Sequence, residues 1–159
     1  MHPTSLPLVL TSLSFLIPLY AAVDTQNRPT SVCWTALTCT SLLLHITKRP
    51  YHIHGPGNCI PALYVMDVTA VGTAMTRAVM DGWYGGPVGV VASLIVIAYA
   101  ALVFLAGDRW QTFAYSRIPE FAILSHASVH LLASIGSTGV IYLRALKNGL
   151  PPSQIETPQ

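Results

Sequence analysis

The sequence predicts an all-α integral membrane protein, a bundle of about five transmembrane helices. Two observations lead there. Hydrophobic residues make up 52% of the 159 and charged residues only 9%, where a soluble domain carries roughly 25% charged residues. Eight Lys and Arg with six Asp and Glu cannot clothe a soluble surface of this size. The apolar residues also fall in long blocks rather than short periodic faces, and a block of about 20 spans a bilayer as a helix. Residues 1–150 are expected to form a single transmembrane domain of a multi-pass protein. Residues 151–159, PPSQIETPQ, have the composition of a disordered tail.

The first run is 6–23, LPLVLTSLSFLIPLYAAV. Its small residues near Ala21 and Ala22 also suit a signal peptide. No Lys or Arg precedes it, though, and Pro18 sits late in its core, so it is expected to be a retained first helix. The second run is 32–47 and the third is 60–76; both carry polar residues among the apolar ones. The fourth, 88–106, has no Asp, Glu, Lys, Arg or His, and the fifth is 121–143. Between them lie DTQNRPTS, KRPYHIHGPGN, DGWYGGP and GDRWQTFAYSRIPE, whose Pro, Gly and charged residues are expected to break the helices.

Five spans put the termini on opposite sides. The loops on the N-terminal side hold Lys48, Arg49, Arg109 and Arg117; the other side holds Arg28, Arg77, Arg144 and Lys147. Four against four gives the positive-inside rule nothing to act on. Trp83, Tyr84 and Trp110 flank spans, where aromatic belts form. A net charge of +2, with no basic patch interleaved with aromatics, argues against a nucleic-acid partner. Cys33, Cys39 and Cys59 show no metal-type spacing, and the first two are expected as small buried hydrophobes.

The chemistry sits in five polar residues. His45 ends the second run with Ser41 one turn before it; Asp67 lies about two turns into the third; His126 and His130 lie two to three turns into the fifth. All five fall in the half of the bilayer nearer the N-terminal side. Ionisable groups there cost roughly 2.5 kcal/mol or more and face the bundle interior with a partner. Histidines four apart share a helix face, since four residues advance it by about 400°. Both can reach one ion, and a third from another helix gives three ligands plus a water, the arrangement of catalytic zinc. Asp67 is placed to hold or deprotonate that water, and Ser41 to donate to a substrate oxyanion. The alternative is that these groups simply hydrogen-bond across helices. His52 and His54 lie in a Gly/Pro loop and are expected to be solvated.

SLLLH at 41–45, Asp67 early on the next helix and HASVH at 126–130 together resemble the CREST superfamily of membrane hydrolases. That group includes alkaline ceramidases, the adiponectin and progestin receptor family and lipid-remodelling enzymes of GPI anchors. The resemblance covers residues 41–130 and lies in a few residues and their order. It implies zinc bound by His45, His126 and His130, a site completed by Ser41 and Asp67, and hydrolysis of a lipid amide or ester. Members have seven helices where this chain has five runs; losing two between the third and the last keeps the final helix entering from the same side.

Two other function classes remain beside a hydrolase whose partners are the bilayer and a lipid substrate. One is a non-catalytic subunit of a larger membrane complex, with other membrane subunits as partners. The other is a haem or pigment protein, which the i, i+4 pair suits less well, because axial ligands usually come one from each of two helices.

Overall fold

The computed structural model describes residues 6–47 and 61–149. The KRPYHIHGPGN loop with His52 and His54, Cys59 and the tail 151–159 lie outside the described residues. The protein is all-α: among the described residues there is no strand.

The first rod is α1 (Leu6–Ser12), a 3-10 turn (Leu13–Phe15) and α2 (Leu16–Asp24). Pro18 explains the tightened turn, because it offers no N–H to the carbonyl of Ser14, four residues back. The second rod is α3 (Arg28–Thr47) and the third is α4 (Pro61–Gly85). The fourth is α5 (Pro87–Ala101), continued by a π turn (Leu102–Ala106) and α6 (Gly107–Trp110). The fifth is α7 (Pro119–Lys147). Pro29, Pro61, Pro87 and Pro119 all stand in the first turn of a helix, where the missing N–H costs nothing.

Helical bounds exceed the apolar runs in two places. DGWYGGP does not form a loop: α4 runs through Asp81 to Gly85 and breaks only at Gly86, which has φ +91°. Asp81 continues the helix because it pairs with Arg77, one turn back, at 3.0 Å. Gly82 allows the approach of α5, since a Cβ there would meet Ser93 and Gly89. GDRWQTFAYSRIPE is likewise partly ordered, with α6 and a second 3-10 turn (Phe113–Tyr115).

Three helical segments are long and apolar enough to cross a membrane: Leu6–Asp24, Pro87–Trp110 and Pro119–Lys147. Most of the buried polar groups stand on α3 and α7. α7 packs on α1, α2, α4 and α5, while α3 packs on α1, α2 and α4. The interior is made of small residues such as Ala21, Ala22, Ala70, Ala74 and Ala133 around Phe15, Trp34 and Ile141. Ala21 and Ala22 are therefore packing residues of the first rod. Large apolar side chains such as Leu10, Ile17, Ile95, Leu124 and Ile135 point outward. Small inside and large outside is the pattern of helices that meet closely within lipid. Gly136 shows why: a Cβ there would collide with Val96 of α5. Cys39, expected inside, faces outward, and Cys33 is half-buried. Trp83 and Trp110 are exposed at opposite ends of the bundle.

One end is tied by charge. Asp81 is wholly buried and accepts from Thr30 Oγ1 at 2.6 Å and Asn27 Nδ2 at 3.3 Å, besides pairing with Arg77 and Arg144. Arg77 also donates to Thr30 Oγ1 at 2.8 Å and Asn27 Oδ1 at 3.2 Å. Three helices, α3, α4 and α7, are thereby joined through one carboxylate. Asp81→Ala leaves two guanidiniums without their counter-charge, so it should cost about 3 kcal/mol. Thermal unfolding in detergent, followed by circular dichroism, checks this; an unchanged transition would mean that the cluster contributes nothing to stability.

Candidate metal centre

The opposite end of the bundle holds the histidines. α3 brings His45 there in its last turn, and α7 brings His126 and His130 one turn apart on one face. All three are buried, at 2%, 8% and 6% exposure. Their ring centroids lie 5.1 Å (His45–His126), 5.4 Å (His45–His130) and 4.8 Å (His126–His130) apart. One nitrogen from each ring lies within 4.8 Å of the other two. α3 and α7 have no close backbone contact here, so the imidazoles fill the space between them.

The donor set fits a divalent transition ion. Three nitrogens at about 2.0–2.1 Å from one zinc stand roughly 3.3 Å apart in tetrahedral geometry. The rings would draw inward by a small side-chain rotation to reach that spacing. Thr11 on α1 supports the fit. Its hydroxyl lies 3.2 Å from the Leu8 carbonyl and 3.1 Å from Nδ1 of His130. With the proton on Nδ1, Thr11 accepts from it and Nε2 keeps the lone pair for an ion. Metal-bound histidines are usually held in this way through their other ring nitrogen.

The walls are aromatic and apolar. The Phe15 ring lies 4.9 Å from His130, and Phe104 stands edge-on to His126 at 5.1 Å and 90°. Phe104 reaches that position from the π turn, whose extra residue per turn re-aims the helix face. Beside it, Val103, Ala114 and Val129 form a small core with Phe113 and Tyr115. Burial, then Tyr64 and Asp108 nearby, push the Tyr115 hydroxyl above its ordinary pKa, so it stays neutral there.

Ser41 and Asp67 flank the histidines differently from each other. Ser12 donates to the Leu8 carbonyl at 2.8 Å, so Ser41 donates its own proton to Ser12 Oγ at 3.0 Å. Asp67, half-buried on α4, accepts from Thr40 of α3 at 3.1 Å. Among the described residues, the group of mutually close ligand atoms contains the three imidazoles and not the Asp67 carboxylate.

Sequence reasoning missed Thr11, Ser12, Thr40, Phe15 and Phe104. Thr11 and Ser12 had a readable signal, two adjacent hydroxyls inside an apolar first run. Phe104 had none, since only the π turn aims it. Comparison with protein-family models, curated proteins and solved structures finds no match.

The role of Thr11 is open to a direct test. Thr11→Val keeps the shape and removes the hydrogen bond, so zinc affinity at the triad should fall about tenfold. Competition with a zinc chelator measures it. Unchanged affinity would show that Thr11 does not orient His130.

Proposed function

We propose that the chain is a multi-pass membrane protein whose five rods all lie in the bilayer, and that it hydrolyses an amide or ester bond of a membrane lipid with zinc held by His45, His126 and His130. The observation that carries this is the meeting of three buried imidazoles from two helices, with ligand atoms within 4.8 Å of one another. Buried ionisable groups in a membrane segment mark function by default. The resemblance to CREST hydrolases in SLLLH, Asp67 and HASVH supports the reaction class.

Zinc, when bound, would supply Lewis acidity and make hydroxide available near neutral pH. The rest is the work of the chain. His45 would hold the ion from α3, and His126 and His130 from α7. Phe15 and Phe104 keep bulk water from the histidines, which strengthens every charge interaction there. Asp67 takes the proton from the attacking water and returns it to the leaving nitrogen or oxygen. Thr40 holds the carboxylate for that exchange through its 3.1 Å hydrogen bond. Ser41 must leave Ser12 Oγ before it can donate to the oxyanion of a tetrahedral intermediate. That engagement of Ser41 favours the second reading, a metal-holding subunit without catalysis.

Metal analysis of the purified protein should find close to one zinc per chain. His126→Ala and His130→Ala should each lose it, because two nitrogens hold zinc far more weakly than three. Full occupancy in the double variant would sink the metal reading.

Catalysis is tested separately. Asp67→Asn keeps an acceptor for Thr40 but cannot take a proton, so it should retain zinc and lose about 100-fold in turnover of a fluorogenic lipid amide or ester. Loss of zinc instead would make Asp67 a ligand. Absence of turnover in the zinc-loaded native protein, across amide and ester lipids, would favour the non-catalytic subunit.

A further inference from the structure

The end of the bundle remote from the histidines has its own cavity, of about 340 Å³. It lies between the turn joining α2 to α3 and the last turns of α7. Thr25, Asn27, Arg28, Arg144 and Asn148 line it, with Ile141 as an apolar wall.

Its charge is out of balance. Among the described residues at this end, Arg28, Arg77, Arg144 and Lys147 face only Asp24 and Asp81. Asp24 accepts from the Tyr142 hydroxyl at 3.4 Å, and Asp81 serves Arg77 and Arg144 together. Two positive charges therefore remain without a carboxylate. A guanidinium carries five donors in a planar fork, and Arg144 spends one nitrogen on Asp81. Its plane is further held over the Tyr84 ring, 5.0 Å from the centroid. The side chain is still 24% exposed, at the cavity wall. Arg28 is exposed at the opposite lip. The N-terminus of the 20-residue helix α3 points into the same space, and its dipole favours an anion. Last-turn carbonyls of α7 oppose this, but Arg144 and Lys147 sit on that turn and offset them.

We propose that this cavity binds the phosphate of an anionic lipid headgroup, from the leaflet opposite the histidine centre. Two guanidiniums on facing walls match a phosphate's oxygens, where a single carboxylate would reach only one of them. The cavity opens at a bundle end, level with exposed Trp83 and Tyr84, where headgroups sit. Basic pockets between membrane helices take phosphorylated headgroups for the same reason. Pro29, exposed at the same lip, offers an apolar edge for the start of the acyl chains. Arg144 is pre-set by Asp81 and Tyr84, so it loses little freedom when the phosphate arrives.

The test uses the full chain in neutral detergent micelles, titrated with fluorescent phosphatidic acid. Phosphatidylcholine and inorganic phosphate serve as the other arms. Saturable binding near one phosphatidic acid per chain is expected, with none for phosphatidylcholine and no displacement by millimolar inorganic phosphate. Arg28→Gln, outside the Asp81 cluster and exposed, should weaken binding about tenfold without changing the thermal unfolding midpoint. Arg144→Gln should weaken it at least as much, but is read only if its unfolding midpoint holds. Equal binding by Arg28→Gln, or binding that rises without saturating, overturns the site. Displacement by inorganic phosphate at matching concentration assigns the cavity to soluble phosphate and overturns the lipid.

Discussion

A polar group buried among apolar helices has no water to turn to, and much of this bundle follows from that constraint. Asp81 meets it most completely. Its carboxylate is wholly buried and draws Asn27, Thr30, Arg77 and Arg144 around it from the α2–α3 turn, α3, α4 and α7. No hydrophobic contact between helices does comparable work here, because lipid tails are as apolar as leucine. The helices are held instead by small residues that let backbones approach and by hydroxyls that reach across. Ser14 with Ser134 at 2.8 Å and Tyr99 with Ser128 at 2.6 Å are such links.

The same constraint shapes the histidine end, with a different outcome. There hydroxyls and imidazoles meet one another in short chains. Thr11 and Ser12 share the Leu8 carbonyl, and their oxygens lie within hydrogen-bond reach of His130 Nδ1 and Ser41 Oγ. α1 is thus the orienting element for residues of α3 and α7, without supplying a ligand itself. Three imidazoles converging in a space lined by Phe15 and Phe104 have few partners that suit all of them at once.

Much of this was legible in the residues. The i, i+4 spacing of His126 and His130 and the position of His45 at a helix end put three rings at one depth, and the rings do meet. Long apolar runs marked the helices. What escaped was order within polar segments. DGWYGGP read as a break because Gly and Pro dominate it, yet Arg77 four residues before Asp81 was the helical signal. Tertiary pairing overrode composition there. The π turn escaped for a different reason: no residue in Leu102–Ala106 demands it, and only packing around Val103 and Phe104 selects it. Cys39 shows the limit of reading buried residue types by frequency in lipid, where outward positions are also apolar.

α7 ties the two ends into one object. His126 and Arg144 are 18 positions apart on a continuous helix, about 27 Å at 1.5 Å per residue, close to the thickness of the hydrocarbon core. The histidine centre and the Asp81 cluster therefore lie at opposite ends of a helix long enough to cross a bilayer. Between them α7 presents Ser134, Gly136 and Ser137, all too small to hold neighbours away. That middle stretch lets α5 approach until Val96 fills the place of a missing Cβ at Gly136. Close packing at mid-membrane makes α7 a stiff rod, fixed at one end by a carboxylate and at the other by histidines. A rod so clamped can hold two imidazoles in a constant relation to a third on α3, although α3 and α7 share no close backbone contact.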